Sequence, residues 1–172
     1  MLKIKPPDYQ FCPFCGKKLK IRIEEEKERK FCSSCKWTYY PHVATTVAAV
    51  IVKSGKILLV KRAREPYLGT WMFPAGFIDF GEHPKETLVR EILEETGLNL
   101  KKAKLMDIIQ IEDDPRSLGH FCLFYKVSVS GSKIKTDEDE NQDIGWFDLN
   151  NLPEIGWKSH KYIIGLLKNK IM

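Results

Sequence analysis

Hydrophobic and polar positions divide the chain into two stretches of different character. Up to about His42 aliphatic residues are sparse and Cys, Lys and Glu abundant, a stretch too poor in apolar side chains to bury a core of its own. From Val43 to Val52 the sequence turns β-branched and apolar, which predicts a buried strand. Ser54-Gly55 turns the chain, and Lys56 to Arg62 reads as the hairpin partner. Pro66 to Gly69 is a loop. Gly81 to Pro84 leads into a helix, with Pro84 in its first turn. That helix runs to about Thr96, and Gly97 supplies its stop. Further strands are predicted at Lys104 to Ile111, His120 to Val129 and Ile144 to Asp148. An amphipathic helix from about His160 to Ile171 closes the chain. Strands mixed with two helices predict an α/β domain over residues 43–172, preceded by a small module over residues 1–42.

Composition sharpens this picture. Of 172 residues, 43% are hydrophobic and 30% charged, enough apolar side chains for a real core. The longest apolar stretch, Val47 to Val52, is far too short to span a bilayer. The start, MLKIKPPDYQ, has no apolar segment of signal-peptide length. The expectation is a soluble cytoplasmic protein without a membrane partner. The net charge of +5 lies wholly in residues 1–42, where ten Lys/Arg face five Asp/Glu. Such a basic module can attract nucleic acid, but offsetting clustered thiolates is the favoured reading. The charge runs Glu24 to Lys30 and Asp137 to Glu140 read as solvated surface.

Cys12-Pro-Phe-Cys15 and Cys32-Ser-Ser-Cys35 are two CxxC pairs separated by sixteen residues. Each pair puts two sulfurs on one tight knuckle, and two knuckles give the four thiolates that tetrahedral Zn²⁺ favours. Gly16 suits the backbone turn such a knuckle needs. Two disulfides do not fit an intracellular chain, and a redox CxxC is expected singly, in a thioredoxin-like unit. Four sulfurs leave no open position, so zinc here is expected to be structural and to supply folding free energy. Cys122, in an apolar run, reads as a buried inert thiol.

The second concentration of chemistry lies on the first helix of the larger domain. Glu91, Glu94 and Glu95 stand at i, i+3 and i+4, within about 100° of arc. Val89, Ile92, Leu93 and Thr96 are assigned to the opposite, sheet-packing side. Three gathered carboxylates repel one another. A divalent cation among them turns repulsion into ligation, and hard oxygen ligands select Mg²⁺ or Mn²⁺. A solvated surface helix also tolerates such a cluster. Arg90, at the edge of this face, can hold a carboxylate in place.

The stretch Gly76-Phe-Ile-Asp-Phe-Gly-Glu82-His-Pro-Lys-Glu86-Thr-Leu-Val-Arg90-Glu91-Ile-Leu-Glu94-Glu95-Thr-Gly97-Leu98 resembles the Nudix box, G-x5-E-x7-R-E-U-x-E-E-x-G-U with U aliphatic. Every specified position is met, and Lys61-Arg62 and Pro66 to Ala75 also look like the family's lead-in. The resemblance covers roughly residues 43–172. It implies an α/β/α sandwich with a mixed sheet, and a hydrolase of diphosphate linkages. It further implies that Glu91, Glu94 and Glu95 hold Mg²⁺ together with the Ala75 carbonyl, and that Glu82 and Arg90 support them. A further acidic residue, assigned to Glu140, is expected outside the box. Arg62 and Arg64, with Lys61, either neutralise phosphates or belong to an ordinary solvated basic loop. Phe73, Trp71, Tyr67 and Phe77 offer rings to a nucleobase or to the core.

A zinc ribbon ahead of a Nudix domain is similar to that of the NADH pyrophosphatases. Residues 99–125, however, contain nothing like the SQPWPFP-type motif that follows the box in that group. The layout looks more like the shorter zinc-ribbon hydrolases that act on FAD and ADP-ribose. The implied substrate is therefore a small nucleotide derivative that releases AMP. An RNA 5′-end hydrolase or RNA-binding protein and a non-catalytic nucleotide sensor are the alternatives. Many members of the family are homodimers.

Overall fold

The computed structural model describes residues 6–131, 134 and 139–169. The chain divides into two compact units between His42 and Val43. In the first, β1 (Lys20–Glu24) and β2 (Lys27–Phe31) form an antiparallel hairpin. Glu25 and Glu26 both take positive φ, 50° and 60°, as a type I′ turn requires. The alternation of Ile21 and Ile23 with charged residues did not reveal this hairpin, because neither isoleucine is buried.

The second unit is built on β3 (Thr45–Lys53) and β4 (Lys56–Arg62). Short strands β5 (Trp71–Met72) and β6 (Ala75–Phe77) precede α1 (Pro84–Thr96). Then come β7 (Asn99–Gln110), β8 (Phe121–Ser130), β9 (Asn141–Asp148) and α2 (Lys158–Asn169). Ser54 and Gly55 make the β3–β4 turn at φ 50° and 77°. The hairpin stays paired for only two positions, Val52↔Ile57 and Lys53↔Lys56. Its strands then part. β3 takes β6 as antiparallel and β8 as parallel neighbour, while β4 pairs with β9 and β5. The result is a mixed sheet that splays open where β6 leads into α1.

Both faces of β3 are covered, which explains its unbroken apolar sequence. Val47, Ala49 and Ile51 pack with Leu88 and Ile92 of α1. Ala48 and Val50 pack with Phe124 of β8 and Ile163, Ile164 and Leu167 of α2. The layers are therefore helix, sheet, helix. No helix among the described residues is long and apolar enough to cross a membrane. Several predicted boundaries shift: β7 begins at Asn99 and β9 at Asn141, each earlier than their apolar residues suggest, and α2 begins at Lys158. The predicted end of that helix at Ile171, and Asp137 and Glu138, lie outside the described residues.

Candidate active site and cysteine cluster

The four cysteines of the first unit converge. Their sulfurs all lie within 4.8 Å of one another, with Cys12–Cys35 at 3.9 Å and Cys15–Cys32 at 3.6 Å. A tetrahedral zinc with Zn–S near 2.3 Å sets its sulfurs roughly 3.8 Å apart, so the set fits the ion. The knuckles are copies of one another. Gly16 N–H donates to Cys12 O and Lys36 N–H to Cys32 O; Cys12 N–H donates to Lys17 O and Cys32 N–H to Trp37 O. The left-handed residue is Gly16 (φ 68°) in one and Lys36 (φ 64°) in the other. The Cys35 amide donates to Cys32 Sγ at 3.4 Å and holds that thiol down at about 6.

In the second unit, α1 is fixed at both ends. His83 caps it, accepting from the Lys85 amide, while Glu86 reaches back to the His83 amide. Gly97 closes it in the left-handed region. The buried side of α1 is Thr87, Leu88, Glu91, Ile92, Glu95 and Thr96. This corrects the face assigned from sequence: Val89 and Leu93 are half-exposed, because the helix turns Glu91 and Glu95 inward over β6. Glu95 is 2% exposed and Glu91 6%; Glu94, half-exposed, faces the opening.

These inward carboxylates are individually held. Glu95 accepts from the Ala75 amide at 2.8 Å and from Asn141 Nδ2 at 3.0 Å. Arg90 donates to both Glu82 oxygens at 3.1 and 3.0 Å, to Glu91 at 2.6 Å, to Glu94 at 3.3 Å and to the Phe77 carbonyl at 3.2 Å. That grip, with the Thr87 hydroxyl, keeps the Glu82 carboxyl down at about 2. Burial acts the other way on its neighbours, pushing Glu91 up to about 7 and Glu95 to about 8. Gly76 explains itself here. A Cβ on it would stand 1.9 Å from Glu91 Oε1 and 2.1 Å from Glu91 Cδ, so the Glu91 carboxylate occupies the space a side chain would take. Among the described residues the glutamate oxygens are not drawn together as tightly as the sulfurs, since Arg90, Ala75 and Asn141 hold them apart.

Glu91, Glu94 and Glu95 line one wall of a cavity of about 560 Å³, together with Ala75, Arg90 and Glu140. Arg62 and Arg64 also line it. Arg62 is buried, its Nε donating to Pro66 O at 2.7 Å; Arg64 pairs with Glu140 at 3.4 Å. Glu82 supports Arg90 from outside the lining, and Lys61 does not line the cavity. Phe73 corrects the expectation placed on it. It is wholly buried and stacks on His160 at 5.4 Å, so its ring has no face to offer a base. Of the other three rings proposed for stacking, Phe77 reaches the cavity; Trp71 packs on Phe147 and Tyr67 on Trp157.

The rest of the lining was not anticipated. It comes from the β7–β8 loop (Asp114, Arg116, His120), from Trp157 just before α2, and from Ser159 and His160 in the first turn of α2. Buried Asp114 accepts two bonds from the Arg116 guanidinium, at 3.0 and 2.9 Å. Burial alone would raise the Asp114 carboxyl, but Arg116 holds it below the usual range. Arg116 lies over Phe77 at 5.6 Å and Trp157 at 5.8 Å, and Arg62 lies over Trp157 at 5.7 Å.

A carboxylate helix laid against a mixed sheet, facing a cavity rich in arginine, defines a scaffold for handling phosphate esters with a divalent cation. Comparison with known proteins is specific. Residues 41–167 match the NUDIX domain model, and residues 10–41 match the Nudix N-terminal zinc-ribbon model. The chain belongs to the Nudix family and is a pyrophosphohydrolase by fold and domain architecture. An ADP-ribose pyrophosphatase of Methanocaldococcus jannaschii is 37% identical over 86% of this chain and 84% of its own length. An NAD-capped RNA hydrolase of Pectobacterium carotovorum is 29% identical. The match covers 86% of this chain but 54% of that enzyme, so the chain spans about half the length of such relatives. Among solved structures, a MutT NUDIX hydrolase from Burkholderia pseudomallei aligns with a TM-score of 0.66 at 30% identity, over 71% of this chain and 95% of that one.

Proposed function

We propose that the protein hydrolyses the diphosphate of a small nucleotide derivative of the ADP-ribose or FAD type, with Mg²⁺ or Mn²⁺, and releases AMP. One observation carries the reading: two buried, inward-facing glutamates share a cavity with four arginines, Arg62, Arg64, Arg90 and Arg116. Buried carboxylates are costly unless neutralised, and a cavity with both signs of charge suits a metal-bound polyanion. The similarity to the ADP-ribose pyrophosphatase favours ADP-ribose within this class.

The donor set fits a hard cation. Glu91, Glu94, Glu95 and the Ala75 carbonyl are oxygen ligands, and the Gly76 cradle seats the Glu91 carboxylate beside them. When bound, the ion supplies charge neutralisation of the diphosphate and a lowered water pKa. The residues do the rest. Arg90, braced by Glu82, orients Glu91 and Glu94. Arg62 and Arg64 face the phosphoryl oxygens. A carboxylate of the cluster, with Glu140 at its edge, takes the proton of the attacking water. The four cysteines hold a structural zinc in this reading.

The RNA-directed alternative draws on the NAD-capped RNA hydrolases but has a weaker electrostatic argument than the side-chain count alone suggests. Over residues 1–42, ten Lys/Arg face five Asp/Glu, and four thiolates around Zn²⁺ bring a further net −2, leaving about +3. The test is AMP release, by chromatography, from ADP-ribose, FAD and NADH with Mg²⁺ omitted and added back. Mg²⁺-dependent AMP from ADP-ribose or FAD is expected. No AMP from any of them, with folded and Mg²⁺-loaded protein, overturns the reading.

A further inference from the structure

Two polar atoms among the residues lining the cavity make no hydrogen bond to another described residue. The Ser159 hydroxyl is buried, its residue 6% exposed, and has no hydrogen-bond partner. A buried hydroxyl left unpaired destabilises a protein, so its persistence at a cavity wall calls for a ligand. His160 is the second. Its Nδ1 accepts the Phe73 backbone N–H at 3.0 Å. An acceptor Nδ1 on a neutral ring leaves the proton on Nε2, and burial, with Arg62 nearby, keeps the ring neutral by lowering it to about 3. His160 is 5% exposed, lines the cavity, and its Nε2 makes no hydrogen bond to another described residue. The main-chain bond of a core residue therefore sets which proton this histidine can offer a ligand.

The surroundings are rigid. Asp113 accepts from the Lys158 amide at 3.1 Å and from the Tyr67 hydroxyl at 3.0 Å, tying the β7–β8 loop to the start of α2. Asp114 fixes Arg116 in the same loop. Gly156 lets the segment before α2 pack close, since a Cβ there would meet Thr70 Oγ1 at 2.4 Å and Tyr67 Cβ at 2.9 Å. The wall thus presents a neutral N–H, a hydroxyl and an anchored guanidinium, beside the first turn of α2. Three donors of this kind, one of them cationic, match the clustered oxygens of a phosphorylated pentose.

We propose that Ser159 and His160, with Arg116, form a specificity subsite that binds a pentose of the substrate, one whose 5-phosphate is half of the scissile diphosphate. This rests on the diphosphate-hydrolase reading, in which cleavage of ADP-ribose gives two phosphopentoses, AMP and ribose 5-phosphate. The distal, non-nucleotide half is the assigned occupant.

The test is calorimetric binding of ribose 5-phosphate and of AMP to the zinc- and Mg²⁺-loaded full chain, alongside steady-state cleavage of ADP-ribose. Ser159→Ala removes only the unpartnered hydroxyl, so it should melt no lower than the parent. It should weaken ribose 5-phosphate about tenfold and raise KM for ADP-ribose similarly, with kcat little changed. In His160→Asn the side-chain oxygen can keep the Phe73 bond while the Nε2 donor is lost, and the same pattern is expected. Weakening of AMP instead keeps the phosphopentose subsite but overturns its assignment to the distal half. Unchanged affinity for both products in Ser159→Ala, or a parent that binds neither, overturns the subsite. Absence of ADP-ribose cleavage with the product-binding losses intact would sink the substrate reading and leave the subsite standing.

Discussion

Replacing Glu95 by Gln should make the Mg²⁺-free protein more stable at alkaline pH while destroying its response to the metal. Glu95 is fully enclosed, and burial raises its carboxyl to about 8 from a reference of 4.5. Between those values the folded state holds a proton that the unfolded chain releases. Stability from this group is thus complete below pH 4.5 and drains away as pH rises toward 8. The whole span corresponds to roughly 4–5 kcal/mol. The useful window is pH 6.5 to 8. Below it His160, buried neutral and lowered to about 3 from 6.5, contributes the opposite slope. Within the window Glu95 accounts for about 2 kcal/mol, or roughly 4–8 °C in Tm for a chain of this size. Gln keeps an oxygen for the Ala75 amide and carries no charge to bury. The assay is thermal unfolding of zinc-loaded protein from pH 6.5 to 8 without Mg²⁺, wild type against Glu95→Gln. The difference between their profiles should open by about that amount, with a smaller contribution from Glu91, which titrates at about 7 and feels the Glu95 charge. Saturating Mg²⁺ should then raise the wild type by about 2.7 kcal/mol at one hundred times its Kd, and the variant much less. Parallel pH profiles, or equal metal stabilisation, would refute the argument that Glu95 is a carboxylate held ready for a cation.

Three further outcomes follow from particular contacts. Gly76→Ala should fold with a Tm within a few degrees, because its clash is with the mobile end of Glu91 rather than with backbone; hydrolysis should drop by about 10²-fold or more as Glu91 is displaced, and a fully active variant would show that the Glu91 position is immaterial. Glu94→Gln, half-exposed and outside the buried core, should lose turnover by a similar factor with unchanged melting and unchanged zinc content by atomic absorption. Cys12→Ser should lose zinc and the fold of residues 1–42, seen in the amide spectrum, while hydrolysis stays within about threefold of the parent. Loss of hydrolysis with the second unit still folded would make the ribbon part of the catalytic apparatus.

The elements most legible in the sequence were those with local causes. α1 was readable because Pro84, Gly97 and the glutamate spacing act within one or two turns, and the Ser54-Gly55 hairpin because its turn needs positive φ. β5 and β6 were missed because strands of two and three residues carry no periodicity. The face of α1 was misjudged for an instructive reason. Val89 and Leu93 are apolar and Glu91 and Glu95 are charged, so hydrophobic periodicity alone turns the helix the wrong way. The helix instead buries Glu91 and Glu95 and leaves the aliphatic pair half-exposed, a local rule broken where the helix lines the cavity.

The same distinction separates two parts of the cavity lining. The glutamate-bearing part is one helix and one loop, so all of its chemistry except Ala75, Glu140 and Asn141 is compressed into 23 consecutive residues, Gly76 to Leu98. The rest of the lining joins the β7–β8 loop to the start of α2, more than forty positions apart along the chain, through Asp113. Nothing local marks Ser159 or His160, since a serine and a histidine opening a helix read as ordinary capping and surface residues. Their meaning comes from tertiary context: a main-chain N–H from Phe73 that claims Nδ1, and a cavity that leaves the hydroxyl unpaired. A hydrolase assembled in this way can keep its bond-breaking wall constant and alter what it cleaves through residues that no contiguous motif records. Substrate choice in this chain is therefore to be sought at Arg116, Ser159 and His160 rather than among the glutamates.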